Sequence, residues 1–361
     1  MKTILTVLGT RPEIIKFSPL LPLFDKFYHH ILVHTGQHYD ENMDRIFFRE
    51  LCLKPPCYFL NVGSAGHGTQ TARILKRLEP ILLKSKPDSV IVLGDTNSTL
   101  AGALVAAKLC IPVAHVEAGC RSFNRKMPEE KNRVLVDHVS EMLFAPDHDA
   151  VDHLKNEGIS AAKIYRVGNT GLDAACRTMK LAKRSRLACF GVKPESYILA
   201  TLHRAENTDD FRCFSRLIDA INQIAREIPV LFPIHPRTVA ILKQHRIELV
   251  KGIQALPPVG NLDFIALLQH ALFVMSDSGG IQEEAAVVNR PCLVLREETE
   301  WKRLVKAGKN FLVGTQTKDI VQLAKRLTRS ARLRQHIAQK RAPLEFGAAE
   351  RIIKILKNHK R

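Results

Sequence analysis

The residues with the most chemistry in them fall at the ends of short apolar runs. Gly9-Thr10-Arg11-Pro12-Glu13 with Lys16 follows one run, and Gly36-Gln37-His38, Gly94-Asp95-Thr96-Asn97 and His115-Val116-Glu117-Ala118-Gly119 with Arg121 end later ones. Further along come His203-Arg204-Ala205-Glu206-Asn207, His235-Pro236-Arg237, Asp277-Ser278-Gly279-Gly280 and Arg296-Glu297-Glu298-Thr299-Glu300. One polar stop after a strand is ordinary, because turns need such residues. A whole series rich in His, Arg, Asp and Glu is the pattern of a site assembled from strand-end loops.

The sharpest local signal is Ser276-Asp277-Ser278-Gly279-Gly280-Ile281-Gln282-Glu283-Glu284. Adjacent glycines between an apolar strand and a helical pattern let backbone N–H groups approach an anion, and the helix start adds partial positive charge. That reads as a diphosphate cradle, with Glu284 one turn on to accept hydrogen bonds from ribose hydroxyls; the plainer alternative is helix capping by Ser278. The carboxylates Asp95, Glu117 and Glu129 with its neighbour Glu130 are placed to line one wall, as moving a proton on and off carbon requires. Arg11, Lys16, His203 and Arg296 supply positive charge for a departing diphosphate, or else salt bridges across a cleft. No Walker A or GxGxxG pattern occurs, which argues against an ATPase and a nicotinamide oxidoreductase. The dispersed histidines form no zinc motif, so neither metal nor cofactor is expected.

Such loops need rigid elements behind them. Apolar, β-rich runs at 3–9, 31–36, 89–95, 112–119, 142–145 and 164–168 alternate with helical patterns, which is the signature of a parallel sheet with helical crossovers. After a basic helical stretch the alternation restarts at 197–202, 230–234, 253–257, 272–276, 292–295 and 311–314. The expected fold is therefore α/β, with two Rossmann-like doubly wound domains facing a cleft and ligands beyond the carboxyl ends of the strands. The expected divisions are 1–170, carrying the acid/base residues, 171–345, binding the nucleotide, and a final helix at 346–361.

Composition agrees with a folded globular protein: of 361 residues 45% are hydrophobic and 25% charged. No run approaches the ~20 apolar residues of a membrane span, and the first one is too short for a signal peptide, so a cytoplasmic address is expected. The 8 cysteines lack CxxC spacing and read as reduced structural thiols. The net charge of +18 raises the question of a nucleic-acid partner. The basic tail from 325 onward carries its apolar residues, such as Ile352, Ile353 and Leu356, at helical spacing without interleaved aromatics, so it reads as a solvated helical face and no nucleic acid is expected.

Taken in order, the motifs above, together with Pro128-Glu129-Glu130-Lys131-Asn132-Arg133 and Val167-Gly168-Asn169, closely resemble those of the non-hydrolysing UDP-N-acetylglucosamine 2-epimerases, from residue 3 to about residue 356. The resemblance implies a glycosyltransferase-B architecture, a homodimer and a final helix that crosses back onto the first domain. It implies that UDP leaves C1 of the sugar as a proton leaves C2, giving a 2-acetamidoglucal, and that UDP re-adds with protonation from the opposite face. It makes Asp95, Glu117 and Glu129 acid/base candidates and His203 essential beside the diphosphate. Arg11, Lys16, Ser278, Gly279, Gly280 and Glu284 would bind the nucleotide, and Phe264 the uracil.

There are departures. Thr299-Glu300-Trp301-Lys302-Arg303 stands where many bacterial members read Thr-Glu-Arg-Pro-Glu, His235 is followed by Pro236-Arg237, and the last glycine-rich stretch is eroded to Pro343-Leu344-Glu345-Phe346-Gly347. Asp40 replaces a glutamine that bacterial members use to hold a regulatory UDP-N-acetylglucosamine; it offers acceptors only and adds negative charge near phosphates, so that site is expected to be weakened or lost. Two other readings remain: the same fold epimerising or hydrolysing a modified UDP-sugar, such as a diacetamido sugar or its uronic acid, and a non-catalytic UDP-sugar-binding protein. Hydrolysing relatives usually read Ala where Pro12 stands, and the retained Asp95, Glu117, Glu129 and His203 disfavour a non-catalytic role.

Overall fold

The computed structural model describes residues 1–37, 41–182 and 187–358, and of 41–45 the backbone only. The chain divides into two compact units, Met1–Arg177 with Glu345–Arg361, and Thr178–Leu344.

The first unit is built on a 7-stranded sheet of order β3-β2-β1-β4-β5-β6-β7. Its strands are β1 (Thr3–Leu8), β2 (His29–His34), β3 (Tyr58–Phe59), β4 (Ser89–Leu93), β5 (Val113–Val116), β6 (Met142–Ala145) and β7 (Ile164–Arg166). All pairings are parallel, with Leu5 opposite both Ile31 and Val90. A parallel sheet covered on both faces needs apolar residues at successive positions, which is why these strands read as continuous runs. Leu5, Val7, Val90 and Val92 are fully buried against Leu78 and Leu82 of the helix His67–Ser85 and Ala101 and Ala106 of the helix Asn97–Lys108. Gly102 fixes how close that second helix lies: a Cβ there would come within 3.1 Å of Val92 and 3.2 Å of Val7.

The second unit repeats the winding with a 6-stranded sheet, β10-β9-β8-β11-β12-β13. Its strands are β8 (Ile198–Thr201), β9 (Val230–Pro233), β10 (Ile253–Leu256), β11 (Val274–Ser276), β12 (Cys292–Val294) and β13 (Asn310–Leu312). Phe214, Leu217 and Ile221 of the helix Phe211–Ala225 meet Ile320, Ala324 and Leu327 of the helix Thr317–Arg329 over Phe232 in its main core. The fold is thus α/β with two Rossmann-like, doubly wound sheets. In each, the strand order reverses beside the first strand, between β1 and β4 and between β8 and β11.

The two-residue β3 has no counterpart among the sequence runs, because Pro55 and Pro56 break the pattern just before it. The first division of the chain falls at 177/178 rather than at 170/171, inside the helix Thr170–Ala182. Arg177 Nη2 donates to the Leu51 carbonyl of the first unit, whereas Ala182 is buried in a cluster of the second with Tyr197 and Leu199. Helical periodicity carries no mark at such a point. The basic tail forms helices with buried apolar stripes, and all eight cysteines are free thiols. Among the described residues no helix is long and apolar enough to cross a membrane.

The final helix, Ala348–Asn358, is fastened by the Asp173 carboxylate, which accepts from the backbone N–H groups of Gly347 at 2.7 Å and Ala349 at 2.8 Å. Arg351 Nε donates to the Val167 carbonyl at 2.6 Å, and Lys357 lies 3.3 Å from the Phe27 ring centroid. Since a lost capping carboxylate costs about 1 kcal/mol, Asp173→Ala should speed amide hydrogen exchange in 348–358 while leaving the helix Phe211–Ala225 unchanged. Equal protection in the variant would show that the apolar stripe alone holds the helix.

Candidate active site

In the first unit the loops after β1, β4 and β5 and the helix Pro128–Val139 surround a cavity of about 430 Å³ at the point where the strand order reverses. Glu13, Lys16, Asp95, Glu117 and Glu129 line it, with Gln37, His67, Asn97 and Asn132. The three sequence-identified carboxylates Asp95, Glu117 and Glu129 are therefore brought together. Asp95 is held by Arg133, whose Nε and Nη2 approach its Oδ2 at 2.9 and 2.5 Å. Glu117, in the left-handed region at φ 67°, receives Lys16 Nζ at 2.7 Å. Lys16 thus starts as the partner of an acid/base candidate. A non-glycine residue in that conformation stores strain, a feature that clusters at functional sites.

Glu129 and Glu130 part company although they are neighbours. Glu129 faces the cavity, while Glu130 turns to the loop 122–123 and accepts from the N–H groups of Ser122 at 2.9 Å and Phe123 at 2.8 Å and from Arg133 at 2.7 Å. Burial alone would raise the Glu130 carboxyl; these donors outweigh it and hold it below its ordinary value. Arg133 therefore bridges Glu130 and Asp95. Its residue type and its place at the end of Pro128-Glu129-Glu130-Lys131-Asn132-Arg133 carry no local sign of that role.

Beneath this wall lies a wholly buried hub. Asp137 accepts from His115 Nδ1 at 2.6 Å, Arg121 Nη2 at 2.7 Å and the Gly119 N–H at 3.1 Å. The other ring nitrogen of His115 meets the Gly94 carbonyl at 2.8 Å, and Asn132 Nδ2 donates to the Asp95 carbonyl at 2.8 Å. The hub thus sets the backbone on either side of Asp95 and Glu117.

In the second unit the corresponding reversal is organised by Asp277, also fully buried. Its Oδ2 accepts from the N–H groups of His203 at 2.9 Å and Arg204 at 2.8 Å and from Asn207 Nδ2 at 3.3 Å. Its Oδ1 lies 3.3 Å from His203 Nδ1 and completes no hydrogen bond. The half-exposed His203 ring stands 5.7 Å from that of His235. His235 caps its own helix by accepting from the Arg237 N–H at 3.2 Å. Burial, then His203 and Arg237, push His235 below the usual histidine value.

The helix Gly279–Val287 starts where the glycines placed it, but Ser278 makes no side-chain cap; Ser276 Oγ accepts the Ser278 N–H instead, at 3.0 Å. The anion against this helix start is internal: a Cβ on Gly279 would lie 2.2 Å from a carboxylate oxygen of Glu300. Arg296 Nη1 holds Glu300 at 2.7 Å and its Nε holds Glu206 at 2.5 Å, so its charge is already shared between two carboxylates. The salt bridges of Lys16 and Arg296 lie within their own units. Glu284 keeps some exposure, yet desolvation pushes its carboxyl up to about 7. Phe264 packs half-buried against the cluster that contains Ala285. Arg11 lies 5.7 Å from the Phe47 ring. Trp301 is half-buried at the start of the helix Lys302–Lys306, and its backbone N–H donates to Thr299 Oγ1 at 3.1 Å. Asp40, with the regulatory expectation attached to it, lies outside the described residues. Among the described residues no group of three or more His, Cys, Asp or Glu side chains is placed to hold a metal ion.

Comparison with known proteins points to one family. The family model described as UDP-N-acetylglucosamine 2-epimerase matches residues 25–357. A UDP-N-acetylglucosamine 2-epimerase of Methanococcus maripaludis is 48% identical over 338 residues, 90% of this chain and 92% of that one. A UDP-2,3-diacetamido-2,3-dideoxy-D-glucuronate 2-epimerase of Pseudomonas aeruginosa is 46% identical over 327 residues, 89% and 91% of the two chains. The crystal structure of a Methanocaldococcus jannaschii UDP-GlcNAc 2-epimerase in complex with UDP-GlcNAc and UDP matches with a TM-score of 0.82 at 44% identity, covering 99% of this chain and 100% of that one.

Burial raises the Asp137 carboxyl, and His115 and Arg121 more than offset that, holding it below its ordinary value. Its stabilising contribution is present above the unfolded aspartate pKa of about 3.9 and disappears as pH falls through the lower folded value. Asp137→Ala strands the buried Arg121 guanidinium and leaves the His115 ring without its partner, and should lower unfolding free energy at pH 7 by roughly 3–5 kcal/mol, read from urea titration. A loss below about 1 kcal/mol, the scale of an exposed pair, would show that water reaches the hub.

Proposed function

Because the chain belongs to the UDP-N-acetylglucosamine 2-epimerase family, we propose that it interconverts UDP-N-acetylglucosamine and UDP-N-acetylmannosamine without hydrolysis. The observation that carries this reading is the single cavity in which Asp95, Glu117 and Glu129, borne on three different segments, meet. In the first half-reaction a carboxylate takes the C2 proton, the C1–O bond to UDP breaks with its electron pair leaving on the diphosphate, and a C1=C2 double bond forms. In the second, the diphosphate oxygen re-adds to C1 and a proton returns to C2 from the other face. Two faces require two groups, and carboxyls on separate loops meet that need. Lys16 beside Glu117 and Arg133 beside Asp95 fix those carboxyls in place and balance charge as it moves.

On the second unit, Ser278, Gly279 and Gly280 would cradle the diphosphate, Glu284 the ribose and Phe264 the uracil, with His203 beside the leaving group. Arg11 and Lys16 supply further positive charge on the first unit. For Arg296 the proposal requires exchange, with the phosphate replacing Glu300 at the helix start. The working form proposed is a homodimer acting without added metal or nicotinamide. The similarity to the Pseudomonas aeruginosa relative supports a second reading, in which the sugar is a diacetamido uronate.

Incubation in deuterated water with UDP-N-acetylglucosamine should yield UDP-N-acetylmannosamine anomeric signals by NMR, with deuterium at C2. Free N-acetylmannosamine would establish hydrolysis, and turnover of only the diacetamido uronate would establish the second reading. Replacing Asp95, Glu117, Glu129 or His203 should cost about 10²–10⁴-fold in turnover with folding retained. Near-normal turnover of Glu117→Gln would remove that residue from the mechanism.

Glu284 adds a pH dependence. With its carboxyl at about 7 in the free protein, an ionised form that accepts from ribose hydroxyls must shed a proton on binding. UDP affinity should therefore be full above pH 7 and fall as pH drops below it, approaching tenfold per unit. Glu284→Gln should flatten the profile between pH 6 and 8 in calorimetric titrations; an unchanged slope would place the ribose elsewhere.

A further inference from the structure

Glu13, which the proposed reaction does not use, is 2% exposed and surrounded by hydroxyls and amides. Its Oε2 accepts from the Gly9 N–H at 2.9 Å and from Thr10 Oγ1 at 2.8 Å, both on the loop after β1. Its Oε1 lies 2.9 Å from Thr96 Oγ1 and 3.0 Å from Thr99 Oγ1, both on the segment after β4. One carboxyl thus spans the reversal point of the sheet.

The protons can be counted. Thr99 Oγ1 also lies 2.8 Å from the Leu93 carbonyl and 3.0 Å from Thr96 Oγ1. Thr96 Oγ1, Thr99 Oγ1 and Glu13 Oε1 form a triangle of short oxygen contacts, and the Leu93 carbonyl adds a fourth contact that needs a proton. A hydroxyl carries one proton. Thr99 gives its own to the Leu93 carbonyl and Thr96 gives its own to Glu13 Oε1. Two contacts then have no proton if Glu13 is a carboxylate: that between the two hydroxyls, and that between Glu13 Oε1 and Thr99 Oγ1, where a charged oxygen faces a lone pair. A proton on Oε1 fills the second and leaves only the contact between two neutral hydroxyls without one, while Oε2 keeps its two donors.

We propose that Glu13 is an uncharged, proton-bearing carboxyl, a positioning residue that clamps the β1 and β4 loops and through Thr96 sets the placement of Asp95. Burial in the same direction raises the Glu13 carboxyl, against the hydrogen bonds of Gly9, Thr10, Thr96 and Thr99 that lower it. The titratable groups sharing the cavity are Lys16 on its own helix, His67, Asp95, Glu117 and Glu129, and none of them hydrogen-bonds to Glu13 among the described residues. A neutral clamp beside three carboxylates adds no negative charge to the wall that receives the substrate.

The consequence for turnover rests on the epimerase reading; the proton itself does not. Infrared difference spectra between wild type and Glu13→Gln at pH 8, where Glu284 is largely ionised, should show in the wild type the C=O stretch of a protonated carboxyl above the amide I band. A carboxylate band in its place overturns the proposal, whatever the protein turns over. Gln offers the same carbonyl to Gly9 and Thr10 and one N–H each to Thr96 and Thr99, with the Thr96 hydroxyl turning to Thr99, so Glu13→Gln should keep kcat within about threefold, whereas Glu13→Ala, which lets the loops part, should lower kcat by about 10²-fold with KM little changed. Equal losses in both variants would overturn the clamp. An inactive wild type with the protonated band present would refute the epimerase reading and leave the proton assigned.

Discussion

A buried carboxyl side chain at the reversal point of each sheet is the constraint on which the two sites depend. In the first unit Glu13 gathers donors from the loops after β1 and β4; in the second, Asp277 on the loop after β11 gathers the backbone N–H groups that follow β8. Parallel strands splay from this point, because crossovers leave in opposite directions and no crossover covers the gap. Backbone donors there need acceptors, and an acidic side chain with two oxygens satisfies several at once. The loops that carry Asp95 and His203 are thereby fixed by their neighbours before any ligand arrives.

Around these clamps charge is matched locally. Asp95 has Arg133, Glu117 has Lys16, Asp137 has Arg121 and His115, and Glu300 has Arg296. A buried or half-buried ion left without its partner is costly, so substitution within any one pair propagates to the next. The helix start at Gly279 follows the same rule. Its partial positive charge is met by the Glu300 carboxylate, so the diphosphate binding proposed there is an exchange between anions rather than the filling of an open cradle.

Much of this was legible in the chain. Parallel strands buried on both faces need apolar residues at successive positions, so the runs themselves named twelve of the strands shown in the two sheets. The strand β3 escaped because two residues beside prolines leave no pattern. Asp95, Glu117 and Glu129 were legible as a set because each follows a strand or opens a helix at one end of a sheet. Arg133 and Asp277 were not, since their value lies in partners 38 and 74 positions away.

The sequence by itself determined the fold class, the order of the strands along the chain and the end of each sheet where chemistry belongs, because hydrophobic periodicity and turn residues are local properties. Which acidic residues face the cavity and which serve as struts was decided only by tertiary structure. Glu129 and Glu130 are adjacent in the chain yet separated in role by the 100° turn of a helix per residue, and Glu13, Asp137 and Asp277 take their burial from elements far away in sequence. Protonation follows the same division: a carboxyl's charge depends on the donors and the water that folding places around it, which no local stretch of residues specifies.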